Sequence, residues 1–529
     1  MVAKSKQCRQ VVLTIVNIGR THLHHFLLTC THNNKLDIML LIILLFTIIY
    51  FAIYYYFKQQ FSYWSRRSVP GLEPSLPFGN IAPPWKNIPP TIQYANFYKE
   101  FKTRRQKHGG VYLFGKPMYI PVDPDLIRNI LVKDFQYFSG RGIHFNAEMQ
   151  QCFDNLFFLD GPRWKVLRQK LTPTFSSGKM KMMFNTMLDC TKPLRKKLDE
   201  LADNEEVIDI KDILAKFTTD VIGSCAFGIE CNTFETEDSD FRKYGKKVFE
   251  ENAFKALKMM FAFNYENLAK KLGVTILDKE IEDFFVKISM ETYNYRVRNN
   301  IKRKDFMQIL IELKEVEKNL TMKELISQVF AFFVAGFDTS SATLTFCLFE
   351  LASNFDIQDR LRQEIFEVLN EYNGEITYEA IHEMKYMEQV INETLRKYPV
   401  VAMILRKCSQ DYQVPFSNSI IEAGTFTIIS AMGLHRDPEH FPNPEKFDPD
   451  RFSEANLSKI RAGTYLPFGD GPRICIGVRF GMMQAKICLI TLLRNFEFSL
   501  NTQTKVPLEL DFGFITNAKG GVWLNCQKL

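Results

Sequence analysis

The sequence has no cysteine pattern of the kind that builds a disulfide framework or a zinc site. Its eleven cysteines are odd in number, scattered over 529 residues, and never spaced as CxxC. Zinc fingers need paired CxxC-type ligands, and small secreted domains need closely spaced cysteines. We therefore expect a reduced, cytosol-facing chain in which most cysteines are small buried hydrophobic residues.

The chain also lacks the glycine-rich loops that bind nucleotides. It contains no P-loop and no GxGxxG fingerprint, so a redox reaction here would draw electrons from an external donor. The net charge of +7 is small for this length and does not call for a nucleic-acid partner. A basic solvated surface, an anionic membrane and an acidic protein partner are all compatible with it.

The hydropathy of the whole chain excludes a polytopic membrane protein, because its mean is −0.14. Residues 38–57, however, carry no charge and are long enough to cross a bilayer, and tyrosines near their end suit the interface. We predict a transmembrane anchor there. Basic residues on both sides leave its orientation open. Residues 1–37 are interpreted as an N-terminal extension, either a gene-model artefact preceding a start at Met39 or a genuine leader.

A basic, proline-rich linker is predicted at residues 58–90, where seven prolines fall between positions 69 and 90 and preclude a helix. Residues 91–529 show no further linker and are predicted to form one large domain, mainly α with small β-sheets. A hairpin is expected at 111–122, a helix capped by Asp123, and strands within 410–427 and 507–526. Helices are expected at 160–201, 208–226, 237–265, 278–300, 321–353, 357–372, 380–397 and 477–494.

The segment FGDGPRICIG, residues 468–477, is the sharpest chemical signal in the chain. Two glycines and a proline predict a tight loop, and Cys475 stands at its end, just before an amphipathic helix. The helix dipole and free N–H groups at that position favour a thiolate, which is a strong metal ligand. A phosphate cradle is disfavoured by the glycine spacing, and a nucleophilic cysteine would need a base that is absent nearby.

This segment resembles the FxxGxRxCxG heme-binding loop of the cytochromes P450 at each fixed position. The resemblance implies that Cys475 is the axial thiolate ligand of a heme (iron protoporphyrin IX), a ligand that favours O–O cleavage. It further implies that Phe468 packs beside the sulfur and that Arg473 pairs with a heme propionate. The similarity extends over nearly the whole chain from about residue 38 and is greatest to the insect family 6 microsomal enzymes.

A second segment, AGFDTS at residues 335–340, lies within a long apolar helix. Its hydroxyl side chains could simply bond back to the carbonyl one turn earlier, or could mark a site. The segment is similar to the oxygen-activation motif of the same family, where the helix opens locally over the heme. The resemblance implies that Thr339 holds iron-bound oxygen and water, and that Asp338 relays protons.

Glu393 and Arg396 form an ExxR pair on one helix face, which alone would be an ordinary surface pair. The segment PDRF at residues 449–452 resembles the family's PERF, with Asp450 in place of the usual glutamate. By resemblance, Glu393, Arg396 and Arg451 form a buried structural network near the heme, which the change at Asp450 leaves intact.

Three more residues match family positions that face the heme propionates. Trp164 and Arg168 form a WxxxR pattern, and Arg406 follows the ExxR helix. Guanidinium groups suit carboxylates because their N–H donors form a planar fork. His435, in LHRDP, matches a family position where histidine is structural, so we do not expect it to be a ligand.

The resemblance implies a membrane-anchored heme-thiolate monooxygenase that inserts one oxygen atom of O2 into lipophilic substrates, such as insecticides, plant toxins or endogenous lipids. Substrate contacts are expected from residues 139–153, 235–275, 330–337, 400–405 and 512–517. Two alternatives are an isomerase or dehydratase of the same fold that needs no external electrons, and a non-catalytic heme-binding protein. The intact Asp338–Thr339 pair argues against the first, and the complete set of catalytic motifs argues against the second.

The implied electron donor is NADPH, acting through cytochrome P450 reductase and possibly cytochrome b5. Lys165, Lys170 and Arg479 are candidate contacts for such an acidic flavoprotein, although they are equally explained as solvated surface residues. The implied location is the endoplasmic reticulum membrane, with the catalytic domain facing the cytosol. No nucleic-acid partner is expected.

Overall fold

The computed structural model describes residues 35–529, apart from residues 87, 144, 147, 237–238, 251–252 and 318–319. Most of the predicted N-terminal extension, up to residue 34, lies outside these residues. The first described element is the apolar helix α1 (Lys35–Gln60), whose side chains are almost all exposed from Ile38 onward. Its length and composition are sufficient to cross a membrane.

The largest sheet contains four strands in the order β1-β2-β7-β4. Strands β1 (His108–Leu113) and β2 (Lys116–Pro121) form the predicted antiparallel hairpin, so that prediction is confirmed. Strand β7 (Phe426–Ser430) pairs with β2 in parallel, and β4 (Met403–Lys407) pairs with β7 antiparallel. Strand β4 was not predicted, because its five residues follow a helix without a turn signal.

Helices make up most of the remaining body. They are α2 (Pro90–Thr103), α3 (Pro124–Arg128), α4 (Gly161–Leu171), α5 (Ser177–Asp189), α6 (Thr191–Asp203), α7 (Ile210–Ile222), α8 (Asp240–Phe249), α9 (Ala253–Asn264), α10 (Glu266–Lys271), α11 (Lys279–Asn299), α12 (Phe306–Val316), α13 (Met322–Ser353), α14 (Phe355–Glu371), α15 (Ala380–Glu383), α16 (Lys385–Lys397), α17 (Ala431–His435), α18 (Glu454–Leu457) and α19 (Val478–Leu493). The mainly helical class expected from the sequence is confirmed. Asp123 caps α3 as predicted, accepting hydrogen bonds from two backbone N–H groups.

The single helix predicted at 160–201 is wrong, because the chain there forms α4, α5 and α6. Pro173 lies in the turn after α4, and Ser176 is extended. Pro193 has no N–H to donate to the carbonyl of Asp189, which separates α5 from α6. The helix predicted at 237–265 likewise ends at Glu250, whose backbone is extended, before α9 begins.

The helix predicted at 380–397 is also divided, at Met384. The carboxylate of Glu364 accepts hydrogen bonds from the N–H groups of Tyr386 and Met387, at 2.6 and 2.8 Å. These bonds satisfy two free donors at the start of α16, so a new helix begins there instead of continuing α15.

The long helix α13 runs through the helical core as predicted. A capping box of Thr321 and Glu324 starts it. It packs most extensively against α7, and twenty of its thirty-two residues are buried. Although it is long and apolar enough to cross a membrane, its burial identifies it as a core helix.

Short sheets complete the fold. Strands β3 (Ile208–Asp209), β11 (Trp523–Lys528) and β8 (Phe496–Leu500) form one sheet, and two hairpins pair β5 (Tyr412–Gln413) with β6 (Ile420–Ile421) and β9 (Leu510–Phe512) with β10 (Thr516–Ala518). The strands expected within 410–427 and 507–526 are confirmed, whereas β3 and β8 were not predicted. The apolar core has a large helical part and a smaller part beneath the four-stranded sheet.

Candidate active site

The loop before α19 places Cys475 in a fixed position. Gly469 and Gly471 have φ angles of 75° and 71°, and a Cβ added at Gly471 would lie 1.9 Å from the carbonyl oxygen of Leu131. Only glycine therefore fits this close approach. The N–H of Cys475 donates to the carbonyl of Phe468 at 2.9 Å, which closes the loop on itself. Phe468 is half-buried against the helical core.

The Cys475 side chain is accessible although its surroundings are poorly solvated. The residue has accessible surface, yet loss of solvation raises the pKa of its thiol. The N–H of Gly477 and the charges of Arg168 and Arg141 act in the opposite direction and favour the thiolate.

Four arginines form a cluster beside this cysteine: Arg141 and Arg168, whose charges act on its thiol, and Arg406 and Arg473, which interact with Arg141. Burial and the charges of Arg141 and Arg473 lower the pKa of Arg406 to about 9. The pKa of Arg473 is lowered to about 9 and that of Arg141 to about 10, mainly by burial. Such mutual depression means that the cluster carries more positive charge than its protein partners neutralise.

Asp160 is the acidic residue within this cluster. Its carboxylate accepts hydrogen bonds from Arg473 at 2.9 Å, from the N–H of Arg141 at 2.8 Å, and from the N–H of Gly142 at 3.0 Å. It stands at the first position before α4 but makes no side-chain capping bond there. It therefore joins the loop of Arg141 to the loop of Arg473.

The structure brings together five of the residues expected near a heme: Trp164, Arg168, Arg406, Arg473 and Cys475. The guanidinium of Arg473 lies 4.2 Å from the ring centre of Trp164, and Arg168 is within electrostatic reach of Cys475 and Arg473. Sequence reasoning missed Arg141 and Asp160. Arg141 stands in an unstructured GRG sequence, and Asp160 before Gly-Pro looks like an ordinary helix cap, so only the fold reveals their contact.

Helix α13 contributes the AGFDTS segment without a break. The hydroxyl of Thr339 donates to the carbonyl of Ala335 at 2.5 Å, which is the back-bonding alternative considered from the sequence. The expected local opening of the helix is absent: residues 322–353 are helical throughout. Ala335 is nevertheless exposed, between the half-buried Val334 and Gly336, so this part of α13 is accessible.

The carboxylate of Asp338 is held at the C-terminal hairpin. Its Oδ2 accepts a hydrogen bond from the side-chain amide of Asn517 at 2.8 Å. Burial raises the pKa of Asp338, whereas the Asn517 hydrogen bond and the charge of Lys211 oppose that rise. The hydroxyl of Ser341 opposes it as well, so the acid is desolvated and still stabilised as a carboxylate by three neighbours.

Glu393, Arg396 and Arg451 meet in one buried network. Arg396 donates to both carboxylate oxygens of Glu393, at 2.7 and 2.8 Å, and both side chains are fully buried. Arg451 reaches the same carboxylate at 3.3 Å. Asp450 turns outward to pair with Arg360 at 3.0 Å, so it takes no part.

His435 is a buried structural residue. Its Nε2 accepts the N–H of Leu466 at 2.8 Å, and its carbonyl accepts a hydrogen bond from Arg396. Burial lowers the pKa of its imidazole to about 3, which keeps the ring neutral. These contacts connect the network to the segment that leads into the Cys475 loop.

The chain belongs to the cytochrome P450 family. The sequence model of the family, described as Cytochrome P450, matches residues 76–524. Cytochrome P450 6a2 of Drosophila melanogaster is 43% identical over 488 residues, covering 89% of this chain and 96% of the relative. Cytochrome P450 6A1 of Musca domestica is 39% identical, covering 89% and 94%. The chain is therefore similar to insect family 6 enzymes, and its class is that of the heme-dependent P450 monooxygenases.

The observed residues fit a heme with a cysteine thiolate as axial ligand, the cofactor of this family. Among the described residues, Arg406 Nε and Arg473 Nη1 are buried side-chain atoms without a hydrogen-bond partner. Unpaired buried donors of cationic groups require an anion, and the two propionates of heme are of that charge. The accessible surfaces of Cys475 and Ala335 provide the space.

Proposed function

We propose that the chain is a membrane-anchored heme-thiolate monooxygenase that oxidises lipophilic organic compounds with O2. The observation that carries this proposal is the accessible Cys475 thiol, held by a closed loop next to four under-neutralised arginines. Bound heme would supply oxygen activation and electron transfer, chemistry that protein side chains lack. Family membership supports the reaction class.

The residues around Cys475 bind and orient the cofactor in this proposal. Cys475 is the axial ligand, and Phe468 supports its loop from the core side. Arg406 and Arg473 pair with the propionates, with Arg168 and Trp164 beside them, while Asp160 and Arg141 hold the two loops together. Glu393, Arg396 and Arg451 keep the segment before the Cys475 loop rigid.

Asp338 and Thr339 are the proposed proton-handling residues. The hydroxyl of Thr339 donates to the carbonyl of Ala335, so its lone pairs are free to accept a hydrogen bond on the cavity side. Asp338, whose pKa is raised by burial, takes and releases a proton more readily near neutral pH than an exposed carboxyl group.

The proposed substrates are lipophilic because aromatic rings dominate the helical core next to α13. Phe333 and Phe337 stack at 5.4 Å, and Phe337 stacks on Phe249 at 6.3 Å. Both Phe333 and Phe337 are buried, so the interior beside α13 is apolar, offers few polar partners and favours apolar ligands. Insecticides, plant toxins and endogenous lipids or hormones all belong to this chemical class.

The proposed electron source is NADPH through cytochrome P450 reductase, with cytochrome b5 as a second possible donor. Lys165 is exposed, whereas Lys170 pairs with Glu317 at 3.1 Å. Lys165 and Arg479 are therefore more available than Lys170 to contact an acidic redox partner.

We further propose the domain organisation and location given by the sequence. Residues 38–57 are the anchor, 58–90 the linker and 91–529 the catalytic domain, following an extension at 1–37. The anchor would hold the catalytic domain on the cytosolic side of the endoplasmic reticulum. Trp64 and Val69 in the linker are already buried in the core beneath the four-stranded sheet, so this linker is docked rather than free.

The reduced, carbon-monoxide-bound difference spectrum tests the central assignment. We expect a strongly red-shifted Soret band in the wild-type protein, lost in Cys475→Ala and retained in Cys408→Ala, which removes a buried cysteine elsewhere. A folded Cys475→Ala protein that keeps the shifted band would overturn the assignment of the ligand. Product formation that requires NADPH and reductase supports the monooxygenase, whereas turnover without them supports the isomerase alternative.

A further inference from the structure

Asn517 contacts the one acidic residue of the AGFDTS segment. It lies in β10, and its side-chain amide donates to Asp338 Oδ2 at 2.8 Å. The position of β10 is fixed by its pairing with β9 and by the N–H of Thr516, which donates to the carbonyl of Val400 at 2.8 Å. The amide therefore reaches Asp338 from a rigid support and not from a free loop end.

Lys211 places a positive charge near the Asp338 carboxylate, beside Asn517. Its ammonium group donates to the carbonyl of Ala518, the residue after Asn517, at 2.8 Å, and its charge lowers the pKa of Asp338. Ala518 is buried, so this contact also ties α7 to β10. Asn517 and Lys211 together favour the ionised carboxylate against the cost of desolvating it.

A carboxylate that carries a proton must change its hydrogen bonds. When ionised, Asp338 accepts the N–H of Asn517. When protonated, the same oxygen becomes a poorer acceptor, and the acid gains an O–H to donate elsewhere. The Asn517 hydrogen bond thus stabilises the ionised state more than the protonated state, and this difference lowers the pKa of Asp338.

We propose that Asn517 is a positioning residue that holds Asp338 as a carboxylate at β10 between turnovers and thereby controls its proton transfer. This inference rests on the proposed role of Asp338 as proton carrier. In the step, a hydronium ion gives a proton to the Asp338 carboxylate, leaving water and a carboxylic acid, while the Asn517 N–H is left with a weaker acceptor. The acid then gives that proton to a water molecule beside Thr339 Oγ1, which restores the carboxylate and a hydronium ion, and no electrons are transferred.

Asn517→Leu removes the donor at similar volume and is expected to raise the pKa of Asp338 by about one unit. An acid whose folded pKa lies above its unfolded value destabilises the fold when ionised, so this cost rises with pH. Relative to the wild type, the folding equilibrium constant of Asn517→Leu should therefore fall about tenfold more at pH 8 than at pH 4, because one pKa unit corresponds to a tenfold change. Denaturant unfolding of the heme-bound protein at both pH values measures this without turnover.

Turnover provides the second readout. In Asn517→Leu, the limb of the kcat profile that reports Asp338 should move upward by about one pH unit. Asn517→Asp places a second carboxylate at the same point and should move the limb further. Asn525→Leu is the matched control, because Asn525 in β11 hydrogen-bonds to the neutral residues Ser499, Leu500 and Asn501, and neither readout should change.

Two outcomes separate this inference from the proposed function. Equal loss of stability at pH 4 and pH 8 together with an unmoved kcat profile would show that Asn517 is merely structural, and the inference fails. Full turnover in Asp338→Asn would instead overturn the proton-carrier role and with it the control that we assign to Asn517. Loss of turnover in Asp338→Asn, with the shifts described for Asn517→Leu, supports both.

Discussion

The indole ring of Trp64 lies directly over Gly110, so closely that a Cβ added at Gly110 would be 2.3 Å from the ring. Trp64 is 1% exposed, and its indole N–H donates to the carbonyl of Val111 at 3.0 Å. Trp64 is four residues beyond the end of α1. The chain leaving the apolar helix is therefore fastened to strand β1 and enters the catalytic body almost at once.

Trp64→Ala is expected to lower the free energy of unfolding by about 3–5 kcal/mol, the usual cost of removing a buried tryptophan. Trp85 is the matched control, because its ring is 74% exposed and Trp85→Ala removes little buried area. Denaturant unfolding of the two full-length variants in detergent, compared with the wild type, provides the measurement.

The contact between Trp64 and Gly110 can also be tested by changing the glycine. Gly110→Ala in the wild type should cost about 1–3 kcal/mol, because the new methyl group collides with the indole. In a Trp64→Ala background the collision is removed, so the same substitution should cost much less. Additive effects of the two changes would contradict direct contact between these residues.

The ion pair of Glu393 and Arg396 leads to a second prediction. Glu393→Gln leaves the buried guanidinium without its counter-charge, and we expect a loss of about 3–5 kcal/mol in unfolding free energy together with reduced heme retention. Asp189 and Lys192 have the same i,i+3 spacing at the surface, with side chains 66% and 77% exposed. Asp189→Asn is therefore the control and should leave both unfolding and heme content unchanged.

Comparing Glu393→Gln with Asp189→Asn shows whether the loss of stability comes from burial of the ion pair or from its i,i+3 spacing in the sequence. If Glu393→Gln and Asp189→Asn were equally mild, the network would not be structural, and the rigidity assigned to the loop before Cys475 would need another cause. Arg451→Leu offers a further check, because it removes the longer contact to Glu393 and a hydrogen bond to the carbonyl of Asn443 but leaves the Glu393–Arg396 pair intact, so it should cost less than Glu393→Gln.

The parts of this molecule that could be predicted from sequence are those encoded by neighbouring residues. The loop of Cys475, the capping box at Thr321 and the hairpin around Gly115 each depend on a few adjacent positions. Their geometry follows from glycine torsions, side-chain caps and strand alternation, which act locally. The periodicity of α13 was equally clear, because an apolar helix thirty-two residues long leaves little ambiguity.

The parts that could not be predicted depend on distant residues. Asp160 meets Arg473 across 313 positions, and Asn517 meets Asp338 across 179. No local pattern marks either contact. The division at Met384 depends on Glu364, a residue of α14, so helical periodicity alone could not reveal it. Strands β3 and β8 were missed because their pairing with β11 is long-range.

Asp220 provides a pH-dependent prediction. It is buried, and desolvation raises its pKa to about 6, although the N–H of Thr233 and the charge of Arg242 oppose the rise. Since an unfolded aspartate titrates near 3.9, ionised Asp220 destabilises the fold above about pH 6, and this cost disappears as the pH falls toward 4. Asp220→Asn should therefore be more stable than the wild type at pH 8, by on the order of 2 kcal/mol.

The measurement is denaturant unfolding of both proteins at pH 8 and pH 4. The asparagine keeps an oxygen for the Thr233 N–H, so the substitution chiefly removes the charge. A stability difference of the same size at both pH values would show that Asp220 is not titrating as its surroundings indicate.

The arginine cluster predicts that heme binding depends on the charge of its two propionates. Reconstitution of the protein with heme dimethyl ester, which has no carboxylates, should weaken binding at least 100-fold relative to heme, since hydrogen bonds between charged groups contribute about 1.5–3 kcal/mol each. In Arg406→Leu, the ratio between the dissociation constants of the ester and of heme should be about tenfold smaller, because one buried cation no longer needs an anion. Arg461→Leu, at an exposed arginine paired with Asp125, should keep the full gap. If the gap in Arg406→Leu stayed as wide as in Arg461→Leu, the unpaired Nε of Arg406 would not face a propionate, and the anion that the cluster requires would have to be sought elsewhere.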